Sequence, residues 1–449
     1  MLTYLRKHMK TIMIIIAVLF AASMFYGLGF RGIQDLSLSK RGFLKVNGQE
    51  VDILRFNQIY SRLRESFPAN LKPQEALFLQ NLALNQTIDY ALILEEARRK
   101  VRVSGGELNQ VLEDLSKNQK FSSVSDLKKA VEKSGLKWND LKRIVRDDIL
   151  VSRMVNQVKA EVSVSGNDLR ELRVRHILVK DEKLAQELLG RVKKGEDFAA
   201  LAKKYSEDPG SKDKGGDLGF FPTGTMLKPF DNLAFSLKVG EIGGPVKTDF
   251  GYHIIKVEDA RLRKIPGKTD VEKAILEEKQ ERAYQEWFYK LKQKAKVEIE
   301  DPSLRALDLR FKGRLGEAVL EYQNAIRTNP RNAYLHVFLA TLYEETGKSD
   351  LAILEYQEAV RAEAGDPTLY LLLGQAYLRN KKTELAVEQF KKSSLIAGDR
   401  KVLHEELLKA FKDLKMPSLA AQEKAEIARI EKKEAFEKGL MEKSKVKTE

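Results

Sequence analysis

The sequence predicts a multidomain chain: an N-terminal transmembrane (TM) helix, an α-helical domain, an α+β segment and an all-α solenoid of helical hairpins. Three observations carry that reading. Residues 11–30, TIMIIIAVLFAASMFYGLGF, are a twenty-residue apolar run without a charge, long enough to cross a bilayer as a helix. Residues 173–259 open on RVRHILVK and close on GYHIIKVED, two strand-like alternations flanking short helices and a Gly-rich loop. From Ile299 onward, small and aromatic residues recur with a period of 34. At 449 residues the chain is in any case too long for one ordinary core.

Apolar residues make up 43% of the chain and charged residues 32%, a balance typical of well-solvated globular domains. Cysteine is absent. That excludes disulfides, a thiolate nucleophile, a thiolate metal site and the cysteine-linked anchor of bacterial lipoproteins. The formal charge of +14 permits contact with nucleic acid or anionic lipid. Lysines and glutamates are interleaved along 271–296, however, as on solvated helix faces, and there is no aromatic–basic motif, so no nucleic-acid partner is expected.

Taken in order, residues 1–31 read as a short cytoplasmic stub and a membrane anchor. Arg6, Lys7 and Lys10 precede the apolar run and favour an amino terminus held in the cytoplasm. The bulk of the chain then lies outside a bacterial inner membrane crossed once, in the periplasm or its equivalent. A cleaved signal peptide is the competing reading, with Ala21 and Ser23 as the small residues before a cut. The apolar run continues through Met24, Phe25 and Tyr26, which favours the uncleaved anchor.

From Phe43 the sequence FLKVNGQEVDILRF predicts a short strand, an Asn-Gly turn and a helix capped by Asp52. Further helices are expected from Pro73 toward Lys100, from the capping-box spacing Ser104–Glu107, over 125–133, and from Trp138 toward Ala160. After the α+β segment a long helix over 270–294 carries Trp287 and Phe288 and leads into a strand-like VEI at 297–299.

Within 173–259, Val174, His176 and Leu178 share one face of the first strand, and His253, Ile255 and Val257 share one face of the last. Helices are expected over 183–193 and 198–205, a short strand at 218–221, and a helix entered through Pro229. This order resembles the parvulin family of peptidyl-prolyl isomerases. The resemblance is carried by RHILVK at 175–180, FAALAKKYSED at 198–208, and the run from GGDLGFF to GYHIIKV over 215–257.

The resemblance implies an isomerase acting on X-Pro bonds of unfolded polypeptide clients, with no cofactor and no metal. Leu218, Met226, Phe230 and Phe250 match the positions that line the family's proline socket. His176 and His253 match its paired histidines; Asp208 falls where some members carry cysteine and others aspartate; Thr248 matches a position beside the histidines. Each has a plainer alternative. The apolar four could be core packing, the histidines a satisfied buried pair, Asp208 the cap of the Pro209-Gly210 turn, and Thr248 a partner of local backbone. Lys180-Asp181-Glu182-Lys183 passes almost directly into a helix, without the arginine-bearing loop of phosphate-selective parvulins, so no preference for phosphorylated substrates is expected.

KVNGQEV, the helical series ending before VSVSGNDLREL, and the returning helix together resemble the SurA, PpiD and PrsA type of extracytoplasmic folding factor. That resemblance implies a chaperone domain over 43–172, completed by 268–299, with the parvulin segment 173–259 inserted and hinged at 163–167 and 261–268.

The period from Ile299 is the length of a tetratricopeptide helical hairpin, giving four repeats over 300–434. Position 20 is alanine four times: Ala318, Ala352, Ala386 and Ala420. Position 8 holds Ala306, Ala340, Gly374 and Leu408; position 24 holds Tyr322, Tyr356, Phe390 and Lys424. Leu408 and Lys424 mark a solvent-facing terminal repeat. His336 and His404 share position 4 and are given no chemistry, and the charged tail 435–449 is expected to fray or be disordered. The expected whole is a membrane-anchored folding factor, an isomerase and chaperone with a protein partner on the repeat groove. Two alternatives are a peptide-holding chaperone with little turnover and a repeat scaffold of an envelope complex.

Overall fold

The computed structural model of the chain describes residues 42–67 and 71–446. The expected anchor at 11–30 therefore lies outside the described residues. Among the described residues no helix is long and apolar enough to cross a membrane. The chain divides into two compact units: one reaches Arg153 and resumes at Leu291, and the other is Met154–Lys290.

In the first unit, β1 (Leu44–Val46) turns through Asn47 and Gly48, at φ 50° and 78°, into β2 (Gln49–Glu50). Its other edge pairs antiparallel with β7 (Val297–Ile299), so the start of the domain is stitched to its return. The helices follow as α1 (Ile53–Arg64), α2 (Pro73–Lys100), α3 (Gly105–Asn118), α4 (Val124–Lys133) and α5 (Trp138–Ala160). Asp52 and Ser104 cap α1 and α3 through their side chains, as their sequence positions suggest. Leu108, Leu112, Leu115, Leu127, Val131 and Leu141 give α3, α4 and α5 a core of their own. A buried tie joins α1, α2 and α5: Arg55 Nη1 lies 2.8 Å from Asp148 Oδ1, to which the Tyr90 hydroxyl also donates at 2.8 Å.

The repeats form four hairpins: α10 (Pro302–Phe311) with α11 (Leu315–Thr328), α12 (Ala333–Glu345) with α13 (Ser349–Ala362), α14 (Pro367–Arg379) with α15 (Thr383–Ile396), and α16 (Lys401–Asp413) with α17 (Pro417–Val446). A Cβ on Gly374 would lie 2.5 Å from the Phe390 ring, so position 8 must be small where position 24 is aromatic. The last helix continues to Val446 rather than ending near 434. The array is also not a separate body from the chaperone region. Phe56, Leu77 and Leu84 share one apolar core with Leu304, Leu307, Val337 and Phe338, because α2 packs on α10 and α12.

The second unit is built on a four-stranded antiparallel sheet of order β4-β3-β6-β5, comprising β3 (Arg170–Val179), β4 (Asp217–Pro222), β5 (Ile242–Thr248) and β6 (Gly251–Leu262). The two-residue period places Ile177, Val179 and Ile254 under α6 (Glu182–Lys193) and α7 (Phe198–Tyr205). Leu172, Val174, Ile255 and Val257 face α8 (Lys228–Ser236) on the other side. Strand β5 is a departure from expectation. Gly243, Gly244 and Pro245 interrupt any alternation, and pairing to β6 resumes only past a bulge between Gly243 and Val246. The two compact units meet in sequence within α5 and within α9 (Val271–Gln293), and the loops 163–167 and 261–268 lie inside the second unit.

Candidate active site

The site grows from the register of the two central strands. His176 lies opposite Ile255 and His253 opposite Leu178, which makes the imidazoles diagonal neighbours on the α8 face. Both are buried, at 5% and 6% exposure. Their Nδ1 atoms are 3.2 Å apart and the rings stack with centroids at 5.4 Å. Phe230, from the first turn of α8, meets both edge-on at 5.7 and 5.3 Å.

Every ring nitrogen of the pair is engaged. His176 Nε2 lies 2.8 Å from Asp208 Oδ2 and 2.9 Å from Ser211 Oγ; His253 Nε2 lies 2.7 Å from Thr248 Oγ1. An ionised carboxylate can only accept, so His176 Nε2 carries a hydrogen and its Nδ1 accepts from His253 Nδ1–H. His253 Nε2 then accepts from the Thr248 hydroxyl, whose oxygen accepts from the Phe250 amide at 3.2 Å. The hydrogen bonds run in one direction, from the β5–β6 turn to Asp208.

Electrostatics agree with neutral rings. Burial, and then the adjacent His176, push His253 down to about 4 against the pull of Asp208. Burial likewise lowers His176, with Asp208 opposing. For Asp208 itself burial works against the charge, but hydrogen bonds from Ser211, His176 and the Gly210 amide outweigh it and hold the carboxyl below its ordinary range. The backbone is equally constrained. Gly216, at φ 78°, accepts from the His176 amide, and a Cβ there would lie 2.2 Å from the His176 carbonyl oxygen.

His176, His253, Asp208, Thr248 and Phe230 thus come together. Leu218 and Met226 are half-buried and pack against the cluster that holds Phe221 and Phe230. Phe250 stands apart at the β5–β6 turn, its side chain largely in solvent at 59% exposure. Two residues were not singled out from sequence. Ser211, 1% exposed, donates its hydroxyl to Asp208, and Ser206, fully buried, accepts from the amides of Leu178 and Asp208 at 3.2 and 3.3 Å. Their only signal is the spacing Ser206-x-Asp208-x-x-Ser211 around a turn. Asp208 Oδ1 also accepts from the Gly210 amide at 3.2 Å, so turn capping and the site share one carboxylate. Among the described residues no cluster of three or more His, Asp or Glu could hold a metal ion.

Family comparisons divide the chain into three segments, of which the middle one falls largely within the second compact unit. A PPIC-type PPIase domain matches residues 153–261, a SurA-like N-terminal domain matches 1–155, and tetratricopeptide repeats match 304–367 and 345–394. The foldase protein PrsA of Caldanaerobacter subterraneus subsp. tengcongensis is 31% identical over 308 residues, covering 62% of this chain and 95% of that protein. The chain belongs to the PrsA foldase family. A PrsA of a Geobacillus species is 39% identical over 46% of this chain and 76% of its own length. A solved structure of the peptidylprolyl isomerase PrsA from Bacillus cereus is 32% identical, covers 47% of this chain and 81% of that one, and gives a TM-score of 0.29. Like those foldases, the chain carries a parvulin-type peptidyl-prolyl cis-trans isomerase. It differs from the Caldanaerobacter PrsA in extent: that relative is matched almost end to end while over a third of this chain lies outside the match.

Proposed function

We propose that this PrsA-family folding factor works outside the cytoplasm, tethered by residues 11–30, and isomerises X-Pro bonds of unfolded clients in a socket walled by Leu218, Met226 and Phe230. The observation that carries the site assignment is the closed hydrogen-bond chain from Thr248 through His253 and His176 to Asp208. With all four ring nitrogens occupied, neither imidazole has a free atom to offer a substrate. The pair is a positioning device that fixes Asp208 and, with Phe230, floors the socket.

The reaction breaks no bond. Its barrier of about 20 kcal/mol is the resonance lost when the planar amide twists. An apolar socket that grips the proline ring, and surroundings that disfavour the planar form, lower it. Asp208, part-exposed and ionised, places negative charge where the carbonyl oxygen of the planar resonance form is itself most negative. The twisted amide carries less charge on that oxygen and suffers less. The short 180–183 connection provides no arginine-bearing loop to bind a phosphate, so the substrate is an unphosphorylated X-Pro segment.

The repeats supply a second contact. Helix α2 already packs on α10 and α12, and beyond its start lies a cleft of about 570 Å³ lined by Leu71, Tyr334, Leu371, Leu372, Arg379 and Leu403. We assign this cleft to a protein partner of the repeat groove.

The test is the rate of cis/trans isomerisation of an unphosphorylated Ala-Xaa-Pro peptide by the full chain and by Met226→Ala, Leu218→Ala and Asp208→Ala. Losing one socket wall forfeits about 1.5–3 kcal/mol of burial, so kcat/KM is expected to fall at least about tenfold in either socket variant. Asp208→Ala is expected to lower kcat more than it raises KM. Unchanged turnover in all three would remove the socket from this face of the sheet. Membrane tethering is read separately, by whether the expressed chain stays with membranes after alkaline extraction and whether a C-terminal alkaline phosphatase fusion is active.

A further inference from the structure

The loop from Thr223 to Leu227, between β4 and α8, carries Met226. One carboxylate beneath it holds the loop in place. Asp231, in the first turn of α8, is 5% exposed. Its Oδ2 accepts from the Gly224 amide and, at 3.4 Å, from the Thr223 hydroxyl. The Asp231 amide in turn donates to the Leu227 carbonyl at 2.9 Å, closing the loop onto the helix that presents Phe230. Gly224 sits at φ 83°, in the left-handed region that glycine enters without a steric cost.

The other carboxyl oxygen, Asp231 Oδ1, is buried without a hydrogen-bond partner among the described residues. An unpaired buried carboxyl oxygen is costly. Leucine is close in volume and carries no such penalty, so packing gives no reason for an aspartate. Holding the loop through the Gly224 amide and the Thr223 hydroxyl does.

We propose that Asp231 is a positioning residue for the isomerase: it fixes the 223–227 loop so that Met226 and Phe230 form adjacent walls of the proline socket. The proposal rests on Met226 being a socket wall. Asp231 touches no substrate; it acts through the loop that carries the residue that does.

The experiment uses the full chain and an unphosphorylated Ala-Xaa-Pro peptide, with affinity and turnover measured by NMR exchange spectroscopy. Asp231→Leu removes the acceptor while keeping the volume. It is expected to weaken peptide affinity about tenfold, to change kcat much less, and to leave the thermal midpoint unchanged or raised. Asp231→Asn keeps one oxygen for the Gly224 amide and is expected to stay within about threefold of the parent. In Met226→Ala the wall is already gone, so adding Asp231→Leu is expected to cost little more. Full affinity in a folded Asp231→Leu, or losses that simply add in the double variant, overturns the proposal. Should the leucine variant not fold, hydrogen exchange in the parent decides: a protected Gly224 amide supports the clamp, and one that exchanges as freely as an open loop overturns it. Unchanged affinity in Met226→Ala overturns the socket reading, and the proposal with it.

Discussion

The isomerase sheet and the repeat array each hold a pair of histidines, built on opposite plans. In the sheet, His176 and His253 face each other across adjacent strands, and a single hydrogen-bond chain runs through both from Thr248 to Asp208. In the array, His336 lies 2.7 Å from Glu355 and His404 lies 2.6 Å from Glu423, each on the companion helix of its own hairpin. The array repeats a local His–Glu contact within a hairpin, to which the last copy adds the Gly398 carbonyl on His404 and the Ser394 hydroxyl on Glu423. The sheet builds one network from β3, β6, the end of β5 and the 206–211 loop, so each link depends on all the others. The same side chain is thus interchangeable structure in one region and part of a single device in the other.

The largest effect should come from the array and leave the sheet untouched. Phe390 is fully buried against Gly374, and its ring packs edge-on to Phe411 with centroids at 6.1 Å. Phe390→Ala is expected to cost about 3–5 kcal/mol, lowering the denaturation midpoint of the first unit as followed by circular dichroism. Isomerisation of a short X-Pro peptide should stay within about twofold. A loss of turnover in proportion to the lost stability would break the separation, and couple the array to catalysis.

Acid should act the other way, on the sheet. His253, at about 4 when folded, has an ordinary value near 6.5 when unfolded, and His176 is displaced in the same direction. Between those values the unfolded chain binds protons that the folded sheet refuses. The stabilisation is complete above about pH 6.5 and is lost progressively as pH falls toward 4. Hydrogen exchange of β3 and β6 amides across that range is the measurement. His253→Leu, which cannot titrate, is expected to flatten the dependence; an equally steep curve in that variant would assign the effect to other groups.

Legibility follows the same division. The array could be read almost residue by residue, because a repeated unit prints its packing four times over: Ala318, Ala352, Ala386 and Ala420 identify a close approach that no single alanine would. The histidine pair was legible because strand periodicity places both rings on one face. Ser211 was not, since its contact with His176 is made by a turn whose path the local sequence does not fix. Strand β5 was hidden by Gly243, Gly244 and Pro245, which read as loop and become strand only through pairing with β6. The shared core of α2 with the repeats was also hidden, because an amphipathic helix shows that it has an apolar face but not what covers it.

The finest test sets one link of the network against one copy of the array. Thr248→Val keeps the shape of the side chain but removes the hydroxyl that donates to His253 Nε2, leaving a buried nitrogen without its donor. That is expected to cost about 1–3 kcal/mol in the isomerase unit. It should also lower kcat/KM about threefold, because the His253 ring and, through it, His176 and Asp208 lose a fixed orientation. Glu355→Gln leaves an oxygen for His336 within its own hairpin, and is expected to change stability by no more than about 0.5 kcal/mol. Thermal unfolding of both variants beside peptide turnover gives the comparison directly. If the two changes cost the same and neither moves turnover, the network is no more than a local contact, and the contrast between the two histidine pairs falls.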